Sequence, residues 1–346
     1  MGLRSSLLRL LGRTPVRQEG QRRHRGPATH VIILDGTLST LEPGCETNAG
    51  LLYKLLDEIG RTANLTVYYE AGLQWRNWGE TPAVAMGRGL NQQIRRAYGV
   101  LASRYREGDK IILAGYSRGA FAVRSLAGII DTVGLIRDTD ANVRNIRTAY
   151  QHYRQGGTSA AADAFRRRFC HWSVEIEAVA VWETVKALGV RLPILWRWAE
   201  PAHAFHNHAL GRSIRHGFHA LALDETREAY APVLWTARPG STVEQVWFRG
   251  NHSDVGGQLG GRERCRPLSN IPLVWMLERL ESCDVPLPEG WVARFPCDVT
   301  APSTGSWTGW GRLFLIRRKR LVGSDPSESV HVTARVDAPA AAVTGT

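Results

Sequence analysis

No uninterrupted apolar run in this sequence approaches the ~18 residues needed to span a bilayer, so nothing in it reads as a membrane helix. Cysteine is scarce. The five, Cys45, Cys170, Cys265, Cys283 and Cys297, are odd in number, and none stands in a C-x-x-C pair. That pattern implies neither a disulfide framework nor a structural zinc site, and a reducing compartment during synthesis is the simplest reading. No internal repeat is visible. Acidic residues are outnumbered, 32 against 44 Lys and Arg, for a net charge of +12.

The excess positive charge is unevenly spread. The first thirty residues hold seven arginines (Arg4, Arg9, Arg13, Arg17, Arg22, Arg23 and Arg25) against one acid, Glu19, half of the net +12. Residues 1–28 read as a basic disordered arm. The sharper alternative is electrostatic contact with an anionic membrane surface or nucleic acid, although no specific nucleic-acid motif accompanies the charge. "SSLLRLLG" is too short, and too interrupted by Arg9, for the core of a signal peptide. A cytoplasmic protein is the default expectation.

What is present is an ordinary globular composition, 43% hydrophobic and 22% charged over 346 residues. One α/β domain with insertions fits that length. "THVIILDGT", "NLTVYYEAG", "DKIILAG", "EIEAVAVWE" and "EQVWFRG" have the length and content of strands. Between and after them, "AGLLYKLLDEI", "GRGLNQQIRRAYGVLASRY", "RGAFAVRSLAGII" and "SNIPLVWMLERLES" carry helical spacing. Thr47 or Asn48 would cap the first of these helices, and Ser269 or Asn270 the last. Apolar strands alternating with helices predict a mostly parallel sheet covered on both faces. The domain is expected over 29–336, with an insertion or lid near 191–220 and a disordered tail at 337–346. "RRKR", Arg317 to Arg320, reads as a solvated charged stretch, with a targeting or contact patch as the alternative.

"GYSRGAF" places Ser117 between Gly115 and Gly119, after a strand and before a helix. A nucleophile elbow needs that order: the glycines permit a tight turn, and the helix can start close to the sheet. The backbone N–H of Arg118 then points at a developing oxyanion, aided by the helix N-terminus. The competing reading is a structural strand-to-helix turn. A serine nucleophile needs a base, and "VWFRGNHSDVGG" offers His252 just after a strand. The third member of the usual Ser, acid, His set is open between Glu183, which ends the apolar run "VAVWETV", Asp254 and Asp224.

"VIILDGT" with "TN", "GYSRGAFAVRSLAGII", "VAVWETV", "HALALDETREAYAPVLW" and "VWFRGNHSDVGG", in this order, resemble the catalytic domain of the type VI secretion phospholipase effectors. The resemblance runs from about His30 to Leu280, with "ESVHVTARV" a fainter match. It implies an α/β-hydrolase-like fold and cleavage of phospholipid esters by a triad. It also implies Ser117 as nucleophile, His252 as general base and Glu183 as acid, where the family usually has the aspartate of a "WDTV" block; Asp254 is the reserve acid. The loop after the first strand would supply a second oxyanion N–H, from Gly36 or Thr37, and Asp35 would hold that loop. A lipid or other ester is the implied substrate, an immunity protein the implied partner of an effector, and signal-less export through a type VI apparatus the implied route. Two other functions stay open: hydrolysis of a small soluble ester, and a non-catalytic binding module. No cofactor and no metal are expected. Among His203, His206, His208, His216 and His219, the first two stand three apart, a spacing that would suit a metal; His219, in "HALALDE", is expected to be structural. Trp196 and Trp198 are candidates for an acyl-chain surface.

Overall fold

Along the central strands consecutive apolar residues point to opposite faces, as a pleated strand buried on both sides requires. Val31 and Ile33 pack into one core, and Ile32 and Leu34 into the other. The computed structural model describes residues 26–60, 64–72, 82–185, 210–237, 242–307 and 314–335. The arginines of the basic arm, the lid over 191–209 with Trp196, Trp198, His203 and His206, and the tail at 337–346 lie outside these residues.

Among the described residues, seven strands form one sheet: β1 (Thr29–Leu34), β2 (Leu65–Glu70), β3 (Lys110–Tyr116), β4 (Ile176–Trp182), β5 (Ile214–Ala222), β6 (Thr242–Phe248) and β7 (Glu328–Val330). Their order is β2-β1-β3-β4-β5-β6-β7, and each neighbouring pair is parallel. This is the α/β class with a parallel sheet that the sequence predicts. The chain leaves β1 toward β2 on one side and returns to β3 on the other. That reversal opens a crevice at the carboxyl ends of β1 and β3, where ligands bind in open sheets of this kind.

Both faces are covered. One core holds side chains of α2 (Pro82–Ala102), α3 (Arg118–Thr132), α4 (Val143–Arg154) and α5 (Ala160–Phe169). The other holds α1 (Asn48–Ile59), Val255 of the short α6 (His252–Gly256) and α7 (Arg266–Ser282). Thr47 caps α1, its side chain accepting from the Gly50 N–H. Asn48 instead turns inward and donates to the carbonyls of Val255 and Ser269. Two expectations are corrected. Helix α7 begins at Arg266, so Ser269 and Asn270 are buried inside it rather than capping it. The expected insertion does not extend to residue 220, because Ile214 to Ala220 belong to β5, paired on both sides.

The glycines of the serine turn are fixed by contact. A Cβ on Gly119 would stand 2.0 Å from the carbonyl oxygen of Leu34, and one on Gly115 would stand 2.8 Å from the same oxygen. Helix α3 therefore starts directly against β1. Gly119→Ala is expected to destabilise the fold by at least ~1–3 kcal/mol, since the obstacle is backbone that cannot swing away. A thermal melt against Gly60→Ala tests the steric argument: a Cβ on Gly60 meets nothing within 4 Å, although its φ of 80° carries its own strain.

Candidate active site

Three loops at the carboxyl ends of β3, β4 and β6 bring the site together. Ser117 follows Tyr116 directly, with φ 57° and ψ −116°, the strained geometry of a residue at a sharp elbow. Its N–H donates to the Trp182 carbonyl at 3.0 Å, which continues the β3–β4 pairing into the turn. Glu183 directly follows β4 and also has a positive φ, 53°. Its N–H donates to the Ala220 carbonyl at 2.9 Å. Two non-glycine residues in the left-handed region, at adjacent strand ends, mark a place where the surrounding structure overrides local preference.

His252 opens α6, and Asn251 caps that helix, its side chain accepting from the Ser253 N–H. The imidazole bridges the other two residues. Nε2 lies 2.9 Å from Ser117 Oγ, and Nδ1 lies 2.9 Å from Glu183 Oε2. All three side chains are buried. The rings of Tyr116 and Tyr230 hold the imidazole from two sides, with centroids at 5.0 and 4.7 Å. Tyr116 is itself seated between glycines: a Cβ on Gly256 would fall 1.9 Å from its ring and one on Gly36 2.6 Å.

The other candidate acids lie elsewhere. Asp254 accepts from the Asn251 N–H at 2.9 Å and the Thr304 N–H at 2.8 Å, so it completes the cap of α6. Asp224 accepts from the Gly250 N–H at 2.7 Å and holds the turn before His252. Burial is the largest influence on Glu183 and pushes its pKa upward. The Arg320 guanidinium and His252 outweigh it and hold the carboxyl well below the usual carboxylate range. Burial pushes His252 the other way, below its ordinary 6.5, against the pull of Glu183 and Glu225.

The loop after β1 also reaches the crevice. Asp35 accepts from the Gly36 N–H at 2.6 Å, the Thr47 hydroxyl at 2.7 Å and the Tyr69 hydroxyl at 2.8 Å, which is the loop-holding role expected of it. The Gly36 N–H is thereby committed to Asp35. The Thr37 N–H has no acceptor among the described residues, while the Thr37 carbonyl accepts from Gln258 Nε2 at 2.9 Å. Arg118 is the first residue of α3, so its N–H is among those the helix's own carbonyls do not reach.

Four residues in contact with this site escaped sequence reasoning. The His252 N–H donates to Glu225 Oε2 at 3.2 Å, and Arg227 forks onto Glu225 at 2.8 and 2.6 Å while covering the Tyr230 ring. Arg320 donates to both oxygens of Glu183, and its side chain is only 6% exposed. "RRKR" is therefore not simply a solvated stretch: Arg317 and Arg320 turn inward, and only Arg318 and Lys319 face out. Glu225, Arg227 and Tyr230 sit in the quoted block "HALALDETREAYAPVLW"; for Arg320 the sequence held no signal.

His219 is buried, and burial lowers its pKa to about 3, so it stays neutral and accepts from the Thr184 N–H at 3.1 Å. At the far end of the sheet, among the described residues, Glu177, His216 and Cys283 bring possible ligand atoms within 4.8 Å of one another. Arg215 reaches the same Glu177 carboxylate at 3.5 Å, which leaves that group short of the charge a cation would need. No helix among the described residues is long and apolar enough to cross a membrane.

The model of the T6SS phospholipase effector Tle1-like catalytic domain matches residues 29–279. The uncharacterized protein YEL023C of Saccharomyces cerevisiae is 26% identical over 235 residues, covering 60% of this chain and 33% of its own length. An uncharacterized protein from Pseudomonas aeruginosa of known structure aligns over 85% of this chain and 51% of its own, at 15% identity and a TM-score of 0.46. The Tle1 effector, in its structure bound to the VgrG spike of the Type 6 secretion system, aligns over 67% of this chain and 51% of its own, at 17% identity and a TM-score of 0.36. This chain thus spans a third of the curated relative and about half of each structural one. On the match over residues 29–279, the chain belongs to the Tle1-like phospholipase effector family through its catalytic domain.

Proposed function

We propose that this protein is a serine hydrolase that cleaves a carboxylic ester of a phospholipid through Ser117, His252 and Glu183. The observation that carries the reading is the continuous hydrogen-bonded line from Ser117 Oγ through His252 to Glu183, at 2.9 Å on each side of the imidazole. Glu183 fixes the tautomer with the proton on Nδ1, which leaves Nε2 to accept the serine proton. Oγ then attacks the ester carbonyl carbon. The N–H groups of Arg118 and Thr37 donate to the oxyanion. As the tetrahedral species collapses, His252 returns its proton to the departing alcohol. Water, deprotonated by His252, attacks the acyl-enzyme, and the free acid leaves as Ser117 regains its proton.

Labelling with a fluorophosphonate tests the chemistry without knowledge of the substrate. Ser117 is expected to be the modified residue, and an unlabelled Ser117 in folded protein overturns the reading. Presentation tests the substrate class. Turnover of one phospholipid ester is expected to rise when it is packed in vesicles, and a preference for the monomeric ester points to a soluble substrate instead.

The pH dependence follows from the sign of the His252 shift. The neutral imidazole is the base, and it predominates above its pKa. A pKa held below 6.5 moves the acid limb of kcat/KM to below pH 6.5. A limb at or above 6.5 in a constant-ionic-strength buffer series contradicts this.

A further inference from the structure

Arg320 lies beyond the matched region, which ends at residue 279, and in a run of basic residues, yet its guanidinium is inside the site. Nη1 donates to Glu183 Oε1 at 2.6 Å and Nη2 to Glu183 Oε2 at 2.8 Å. The same two nitrogens also donate to the carbonyls of Ala222 and Tyr230, each at 2.7 Å. Those carbonyls belong to the end of β5 and to the loop whose Tyr230 ring packs on His252. The segment carrying Arg320 is tied to that same loop: the Arg318 N–H donates to the Thr226 carbonyl at 2.7 Å and the Glu228 N–H to the Ile316 carbonyl at 3.1 Å.

We infer that Arg320 is a positioning residue of the catalytic relay, a guanidinium clamp that fixes the Glu183 carboxylate and balances its charge. The inference rests on the hydrolase reading above. A carboxylate with no exposed surface is costly unless paired and fully hydrogen-bonded. Here Oε2 receives His252 and Arg320, and Oε1 receives the Ala222 N–H and Arg320. A planar, bidentate donor sets the plane of the carboxylate as well as its position, which a lysine ammonium does not. The plane matters because Glu183 must aim Oε2 at Nδ1 across a longer side chain than aspartate has. The clamp also places a positive charge next to the Glu183–His252 pair. Removing it raises the pH at which that pair takes up a proton, whichever of the two holds it. The other titratable and charged groups facing the pair, Glu225, Arg227, Tyr116, Tyr230 and His219, stay as they are.

The test uses the full chain, with fluorophosphonate labelling rates measured across pH for wild type, Arg320→Met and Arg320→Lys. Arg320→Met keeps the volume and removes the charge. Its labelling rate at the optimum is expected to fall ~10–100-fold, and its acid limb to move upward by about one pH unit or more. Arg320→Lys restores the charge without the fork, so its limb is expected near wild type while its rate stays reduced. A purely structural arginine predicts less folded protein but an unchanged limb and rate per folded molecule, and that result overturns the proposal. If Arg320→Met does not fold, Arg320→Lys decides: a wild-type labelling rate in that variant overturns the clamp. Failure of wild-type Ser117 to label would instead remove the hydrolase reading, so the two failures are distinct.

Discussion

Replacing Ser117 by alanine is expected to lower kcat on any ester the protein turns over by a factor on the order of 10⁶, the loss seen when the nucleophile of a serine relay is removed. Among the described residues the Ser117 hydroxyl is the group hydrogen-bonded to His252 Nε2, at 2.9 Å, so its removal takes away the nucleophile the base serves. The substitution removes one oxygen and leaves the backbone anchor intact, because the 3.0 Å bond from the Ser117 N–H to Trp182 does not involve the side chain. The melting temperature should therefore stay close to wild type. Steady-state turnover on vesicles, with unfolding followed by circular dichroism, separates the two quantities. A variant that keeps more than about a hundredth of wild-type activity would transfer the chemistry to another group.

Glu183→Gln is the second large effect, and it should strike activity and stability together. The two carboxylate oxygens accept from four donors: His252 Nδ1–H, the Ala222 N–H and both terminal nitrogens of Arg320. An amide replaces one acceptor with an NH₂ group. Whichever way it turns, that group faces two donors. With the NH₂ toward His252 the ring is driven to the wrong tautomer, and kcat is expected to fall about 10⁴-fold. With the NH₂ toward Ala222 it opposes a backbone N–H, and in either orientation Arg320 is left as a buried, uncompensated cation. Breaking a buried pair from one side costs about 3–5 kcal/mol. Chemical denaturation of Glu183→Gln and of the double variant Glu183→Gln/Arg320→Met gives the check. The double variant should regain part of the lost stability, and none of the lost activity.

The strands that build the site were legible because they are buried on both faces and so read as unbroken apolar runs. β1, β3 and β4 each end one residue before a polar residue of the crevice, which is why Asp35, Ser117 and Glu183 stood out. β5 was not legible: "IRHGFHALA" holds an arginine and two histidines, and the polar side chains concealed a central strand. The protein tolerates His219 there because its ring accepts from the Thr184 N–H and rests edge-on against Trp235. Helices α4 and α5 were also missed. Both are arginine-rich, with only Ala149, Tyr150, Ala162 and Phe165 buried; α4 does space Val143, Ile146, Ala149, Tyr150 and Tyr153 along one helical face, a signal that was there to read. The choice among Glu183, Asp254 and Asp224 could not be made from spacing, because each lies at a strand end or turn. Only the third dimension shows that the two aspartates spend their oxygens on backbone N–H groups. Arg320 was illegible for a different reason. A charged run looks the same whether its members face water or a carboxylate, and the alternation within "RRKR" is decided by contacts some ninety to 140 residues away.

The separations along the chain have a consequence for when the protein becomes reactive. Ser117 meets His252 across 135 positions, and Glu183 meets Arg320 across 137. A ribosome adding ~5–20 residues per second needs on the order of ten seconds or more to pass from the serine to the last of these partners. Throughout that interval the growing chain carries the elbow serine without its base, then with a base whose carboxylate lacks its cation. On the hydrolase reading proposed above, the relay is complete only once the segment carrying Arg320 has been made and docked beside Glu183. An ester hydrolase assembled in this order would be inert toward the lipids of the cell that translates it until that segment has left the ribosome.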